Sequence, residues 1–494
     1  MTESKTPCKY AGPLALAAAA KWICRHVCLA RCSREYKAAG KPQTTETNIP
    51  NYETNDRKSK DRRRKIMKKR ILSILLTAAL TTGMLAGCGG QSGGNETERS
   101  DSGAIVLDMY HSWSTDTERG AALDKLIQQF NEENEGKIEV KVTINPDFPA
   151  YQEKVKTMIS TDTTPDIFHY NFNPNDLSRQ ESGKLMDFTE YMDDEWRARF
   201  GEGDLENLTI NGEITSIPFE KAGAVIYYNK DLFAQAGINE FPTTWDGLLD
   251  ACEKLEAAGI TPFSLYTADD AWYTCNLFTY LAASYAGIDT LNKGGDINTP
   301  EMKQAAEMLR EFWNYTTGDA IGANYSVASN NFASGKTAMA IDGPWLIGTL
   351  SEVEDQIGIA KAPSFGDGKV PENYVVTDAQ TPWAAAATDD KEKEEAIVKF
   401  MKFITSEESV KQLTLDGAVF LSPKLDLEDP DVQATGGLLG EYLALNSTAE
   451  DSTINIQRNL STAANSALPS LLESLALDNI TPDEFVEQLA AENE

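Results

Sequence analysis

Apolar and polar positions fall into regular patterns from about residue 104 onwards. Residues 105–110 (IVLDMY) read as a strand, and 117–134 place Leu123, Leu126, Ile127 and Phe130 on one side of an amphipathic helix. Residues 138–144 alternate as a strand, 151–160 form a second helix, and 166–170 a further strand. Asn211-Gly212-Glu213 marks a hairpin turn between LTI and ITSIP. A strand at 224–228, a short helix closed by Gly237, and a helix capped by Thr243 or Thr244 and ended by Gly259 follow. Further helices are expected near 299–315, 391–404, 406–415 and 461–475, with strands near 337–341, 357–361 and 374–387. Strands alternating with helices predict an α/β protein with mostly parallel sheet wrapped by helices. No internal repeat is present.

The first hundred residues follow a different pattern. Residues 71–86 (ILSILLTAALTTGMLA) are an apolar run preceded by Arg62, Arg63, Arg64, Lys65, Lys68, Lys69 and Arg70. A basic head before an apolar body shorter than the roughly 20 residues a bilayer span requires reads as a secretory signal. Met67 stands where such a signal begins, so residues 1–66 read as an upstream extension and 67–87 as the signal itself. Leu85-Ala86-Gly87-Cys88 resembles the lipobox of bacterial lipoproteins, which implies acylation of Cys88 and an anchor on the outer face of the cell membrane. Two acyl chains would give stable attachment where one is marginal. Residues 88–103, rich in glycine, serine and acids, are expected to be a flexible tether. Cys24, Cys28 and Cys32 beside His26 would share one helix face, but their spacing is unlike the usual zinc pairs, and no metal is expected.

Charge narrows the partners. Of the chain's 45 Lys+Arg and 76 Asp+Glu, residues 1–87 hold 18 and 6, which leaves 27 and 70 and a net charge of −43 from Cys88 onwards. A surface so acidic repels phosphate backbones, so nucleic acid is not an expected partner. Beyond the anchor only Cys252 and Cys275 remain; a disulfide between them is open, although Cys252 lies on an apolar helix face.

Several stretches, in order, resemble the extracellular solute-binding proteins of carbohydrate ABC transporters, the maltose-binding type. They are Thr164-Pro165-Asp166-Ile167, Ile217-Pro218 with Tyr227-Tyr228-Asn229-Lys230-Asp231-Leu232-Phe233, and Pro242-Thr243-Thr244-Trp245. Phe332, Gly335-Lys336-Thr337-Ala338-Met339, Ile341-Asp342-Gly343-Pro344-Trp345, GAVFLSPK at 417–424 and ITPDEFVEQLA near the end complete the set. The resemblance implies a two-lobed, periplasmic-binding-protein-like fold of type II, with a ligand cleft between lobes joined by crossing segments near 220–224, 374–377 and 420–425. Lobe 1 would be 104–219 with 378–421, and lobe 2 would be 220–377 with 422–494. It also implies a carbohydrate ligand, ABC permease subunits as partners, a monomer, and no cofactor.

A pyranose offers apolar C–H faces and polar edges, so its site needs aromatic planes and planar polar groups. Trp245 and Trp313 sit inside helical patterns and are expected in the core; Trp196 is open to either role. Trp113, Trp272 with Tyr273, Trp345 and Trp383 stand at element ends and are the stacking candidates. Asp342, Glu220, Asn171 and Gln380 are the polar candidates. An enzyme would need a constellation that is absent: there is no H-E-x-x-H or G-x-S-x-G, and Gly335-Lys336-Thr337 lacks the phosphate-loop glycine because position 330 is asparagine. A glycoside hydrolase, needing only two carboxylates, a sensor reporting to a membrane kinase, and a receptor for a polyamine or peptide are the competing readings.

Overall fold

The computed structural model describes residues 98–171, 183–201 and 203–493. The extension at 1–66, the signal at 67–87, Cys88 and most of the tether lie outside the described residues, as does the side chain of Gln380.

The chain begins with β1 (Ile105–His111), α1 (Glu118–Glu133), β2 (Ile138–Ile144), α2 (Phe148–Thr161) and β3 (Ile167–His169). Thr117 caps α1 by accepting from Gly120 N, and the stripe of Leu123, Leu126, Ile127 and Phe130 is buried. Then come β4 (Ser216–Ile217), the long β5 (Glu220–Asn229), α3 (Trp245–Ala257), β6 (Thr261–Phe263) and α4 (Trp272–Ala286). The middle of the chain supplies α5 (Pro300–Trp313), α6 (Tyr325–Ala333), β7 (Thr337–Asp342), α7 (Leu346–Thr349) and β8 (Ile357–Ala360). The last part gives β9 (Tyr374–Gln380), β10 (Trp383–Ala385), α8 (Lys391–Ile404), α9 (Glu407–Gly417), α10 (Gly437–Ser447), β11 (Asp451–Ile454), α11 (Thr462–Ala476) and α12 (Pro482–Glu492).

These strands build two sheets, each with its own core. The first runs β2-β1-β3-β10-β4, parallel from β2 to β3 and antiparallel at β10 and β4. The second runs β11-β9-β5-β7-β6, with β8 pairing the C-terminal half of β5. The apolar residues packed on the two sheets fall into separate clusters, Phe130, Trp196 and Phe400 in lobe 1 and Trp245, Phe278 and Phe312 in lobe 2.

Three segments pass between the lobes at the level of Glu220. Phe219 still packs in the lobe 1 core, whereas Ala222 to Ala224 pair with β9, register Ala222↔Asp378 and Ala224↔Val376. Beside them, Lys221 N donates to Phe420 O at 3.0 Å and Ser422 N to Phe219 O at 2.7 Å. The single strand expected over 374–387 is two strands in different sheets, because Thr381, at φ 45°, turns the chain from β9 into β10. Backbone this far into the left-handed region is costly for a β-branched residue.

Trp245 and Trp313, expected in the core, and Trp196, open to either role, all pack in the cores. Trp245 Nε1 donates to Ser284 Oγ at 2.8 Å and Trp196 Nε1 to Thr405 Oγ1 at 2.9 Å; Trp313 is buried. Cys252 and Cys275 are free, buried thiols, each pushed up in pKa by burial.

Candidate functional site

On lobe 1 the site begins where β1 ends. Two buried imidazoles fix the loop that follows: Ser112 N donates to His169 Nε2 at 3.0 Å and Trp113 N to His111 Nδ1 at 3.2 Å. Burial, then the nearby positive charge of Arg119, pulls His111 down to about 4, and burial first also lowers His169, so both rings are neutral acceptors. Gly120 lets the loop close onto the first turn of α1, since a Cβ there would sit 1.9 Å from Ser114 O. The outcome is that the Arg119 guanidinium lies over the Trp113 indole, 4.0 Å from the ring centroid.

Arg119 also ties this loop to the crossing strands. Its Nη2 donates to both oxygens of Glu220, at 2.9 and 3.0 Å, and Thr381 Oγ1 donates to Glu220 Oε2 at 2.8 Å. Glu220 is only 2% exposed, so this pair is a buried charge with its compensation. Asn171 Oδ1 accepts from Thr381 N at 2.7 Å. Asn171 thus braces the turn from β9 into β10.

On lobe 2 the site is built at the end of β7. Asp342 is fully buried, its Oδ1 accepting from Gly343 N at 2.7 Å and its Oδ2 from Tyr325 at 3.2 Å and from Tyr273. Burial raises its carboxyl to about 7 against the lowering effect of these donors. The next residue is a glycine because the Trp345 indole lies on it: a Cβ at Gly343 would meet the ring at 2.4 Å. Trp345, half-buried, faces Trp272 at 5.2 Å between ring centroids and 49° between planes. Trp272 starts α4 after a bend in which Asp269 and Ala271 both take positive φ, and its N donates to Asp270 Oδ1 at 3.2 Å.

The two halves meet at Arg119, whose guanidinium is 5.8 Å from the Trp345 centroid, and at Glu118, whose carboxylate lies against Gly348 of α7. Arg119 thus links Trp113 and Glu220 of lobe 1 to Trp345 of lobe 2, with Asn171 bracing the crossing. Asp342 and Tyr273 lie beneath Trp345, bonded to each other. Trp383 is a correction: it is 1% exposed in the middle of the lobe 1 sheet, its ring 5.1 Å from His169 and 5.6 Å from Phe219, and it offers no face to the gap. The residue after the left-handed Thr381 and Pro382 looks like a loop position in sequence, but it is already β10. Sequence reading missed Arg119, Tyr325 and Thr381. A signal for Arg119 was present, because a cation in the first turn of a helix opposes the helix dipole and needs another reason to be there.

The description "Bacterial extracellular solute-binding protein" matches residues 113–411, which spans more than half of the chain. The chain belongs to that family. This solute-binding protein is 28% identical to a binding protein of Brucella abortus (strain 2308), over 56% of its own length and 67% of the relative's. It is 24% identical to the multiple sugar-binding protein of Streptococcus mutans, over 70% of its own length and 81% of that protein's. Its fold matches a solved chitin oligosaccharide binding protein with a TM-score of 0.68 at 21% identity, covering 78% of this chain and 98% of that one. Family and fold are those of two-lobed binding proteins, not of enzymes.

Proposed function

We propose that this solute-binding protein captures a carbohydrate, an oligosaccharide, in the gap between its lobes and delivers it to an ABC transporter permease. The observation that carries this reading is the Trp272–Trp345 pair on lobe 2, with indole planes 49° apart, facing the charged Arg119 of lobe 1. The half-buried Trp345, backed by Trp272, offers an apolar face to a sugar ring, a contact adding about 0.5–1.5 kcal/mol beyond area burial. Relatives named for multiple sugars and chitin oligosaccharides support the ligand class. Ligand-biased closure follows, because only a solute that binds the closed form better shifts the lobes toward it.

The sugar leaves unaltered. Glu220 is held by Arg119 and Thr381, and Asp342 by Gly343, Tyr273 and Tyr325, which gives both carboxyls structural partners. Acylation of Cys88 holds the protein at the outer face of the membrane as a monomer. Thermal unfolding in the presence of maltotriose, xylotriose and N,N′,N″-triacetylchitotriose tests the function, since a bound ligand raises apparent stability by mass action. A rise with one trisaccharide and no new reducing ends is expected; no rise with any sugar would refute it. For the anchor, labelling by an alkyne-tagged fatty acid in the native host must vanish in Cys88→Ala.

A further inference from the structure

Trp113 was expected to stack on the sugar, but the geometry gives that indole a different neighbour. One of its faces carries the Arg119 guanidinium at 4.0 Å, which is van der Waals contact and leaves no room for a pyranose. Phe219, at 6.0 Å, and His169, at 6.1 Å, pack around the ring, which is only 5% exposed. Displacing the guanidinium would strip Glu220 of its partner while leaving that carboxylate buried, and an uncompensated buried charge is strongly unfavourable.

The guanidinium itself is only partly used. Nη2 holds Glu220, Nη1 makes no hydrogen bond among the described residues, and Nε is enclosed without a partner. Donors left unmade in an enclosed site are costly until an acceptor reaches them. The guanidinium lies between one indole from each lobe, so an acceptor arriving there touches both halves of the gap.

Resting on the carbohydrate reading above, we infer that Arg119 is a specificity-determining residue that donates to an oxygen of the bound sugar, while Trp113 positions the guanidinium instead of stacking on the ligand. The apolar face of the sugar then belongs to lobe 2 alone, on the half-buried Trp345 that Trp272 backs, and its polar edge to lobe 1. The oxygen is a neutral hydroxyl or ring oxygen. Glu220 already compensates Arg119, and a carboxylate ligand would add a second negative charge beside it.

A double-mutant cycle separates positioning from stacking. Binding of the same three trisaccharides is measured by calorimetry for the wild type, Arg119→Met, Trp113→Ala and the double variant. Arg119→Met keeps the length of the side chain without its donors, and a loss of tenfold or more is expected. Trp113→Ala should lose affinity by a similar factor, and the double variant should bind no worse than Arg119→Met alone. Losses that multiply, or an Arg119→Met variant that binds as tightly as wild type or tighter, overturn the inference, because they mean that Trp113 meets the sugar directly. Tighter binding of trigalacturonate than of all three neutral probes would also overturn it. Arg119→Lys keeps the charge beside Glu220 and guards against misfolding; it too should lose tenfold or more, and wild-type affinity in it refutes the role of the planar donors. If no trisaccharide binds the wild type, the carbohydrate reading fails and the sugar contact of Arg119 with it, and the same cycle read by urea unfolding of the ligand-free protein decides the Trp113–Arg119 part of the inference. Coupled midpoints support the Trp113–Arg119 unit, and additive midpoints refute it.

Discussion

Asp342 makes the stability of this protein fall as pH rises through the neutral range. Its carboxyl sits at about 7 in the folded protein against an ordinary 3.8, chiefly because it is fully buried. On raising the pH, the unfolded chain releases this proton first, so the folded state holds more protons between about pH 4 and 7. Stability is therefore highest below pH 4 as far as this group is concerned, declines through that window and levels off above it. A displacement of roughly three pKa units corresponds to about 4 kcal/mol in total, of which about 2 kcal/mol is lost between pH 5 and pH 7. The perturbation is Asp342→Asn, which keeps the shape and cannot ionise. Urea unfolding of both proteins at pH 5 and pH 7 isolates the group, since every other titration is shared. The wild type should lose about 2 kcal/mol more than the variant across that interval. Equal losses in the two proteins would refute the reasoning and return Asp342 to an ordinary carboxylate.

Other consequences follow from single residues. Trp345→Ala is expected to weaken sugar binding by about tenfold or more with the fold intact, a decade being ~1.4 kcal/mol, as calorimetry would show. Gly343→Ala should also weaken binding, because the added Cβ would press on the Trp345 ring at 2.4 Å; unchanged affinity would mean the ring does not rest there. Trp383→Ala should destabilise by about 3–5 kcal/mol in urea, whereas Trp383→Phe should leave sugar affinity within about twofold. Cys252 and Cys275 should resist a thiol reagent until the protein unfolds, and reductant should not shift the melting temperature.

The fold was legible where one face of an element is polar. The stripe on α1 and the helix from Thr244 announce themselves because solvent supplies the contrast. Helix α4 does not, since every residue from Trp272 to Ser284 is buried and no periodicity survives. The strand read over 374–387 hid a change of sheet, because a left-handed threonine has no sequence signature comparable to a glycine. Trp272, Trp345 and Asp342 stand at the element ends where the sequence placed them, and their part in ligand binding is the proposal made above. Arg119 offered only the weak signal of a cation in a helix's first turn, because its role comes from Glu220, about a hundred residues away, and only the crossing strands bring the two together. Trp383 was misplaced for the opposite reason: its proline-marked loop is one turn, not an edge facing the gap.

The most direct test of the account is a tryptophan-fluorescence titration of the folded protein with maltotriose, xylotriose and N,N′,N″-triacetylchitotriose. Since the half-buried Trp345 lies beside Arg119 where the lobes meet, at least one of these sugars should give a saturable change that is lost in Trp345→Ala. A flat response to all three, or an undiminished response in Trp345→Ala, would contradict the claim that the Trp345 indole holds a saccharide between the lobes.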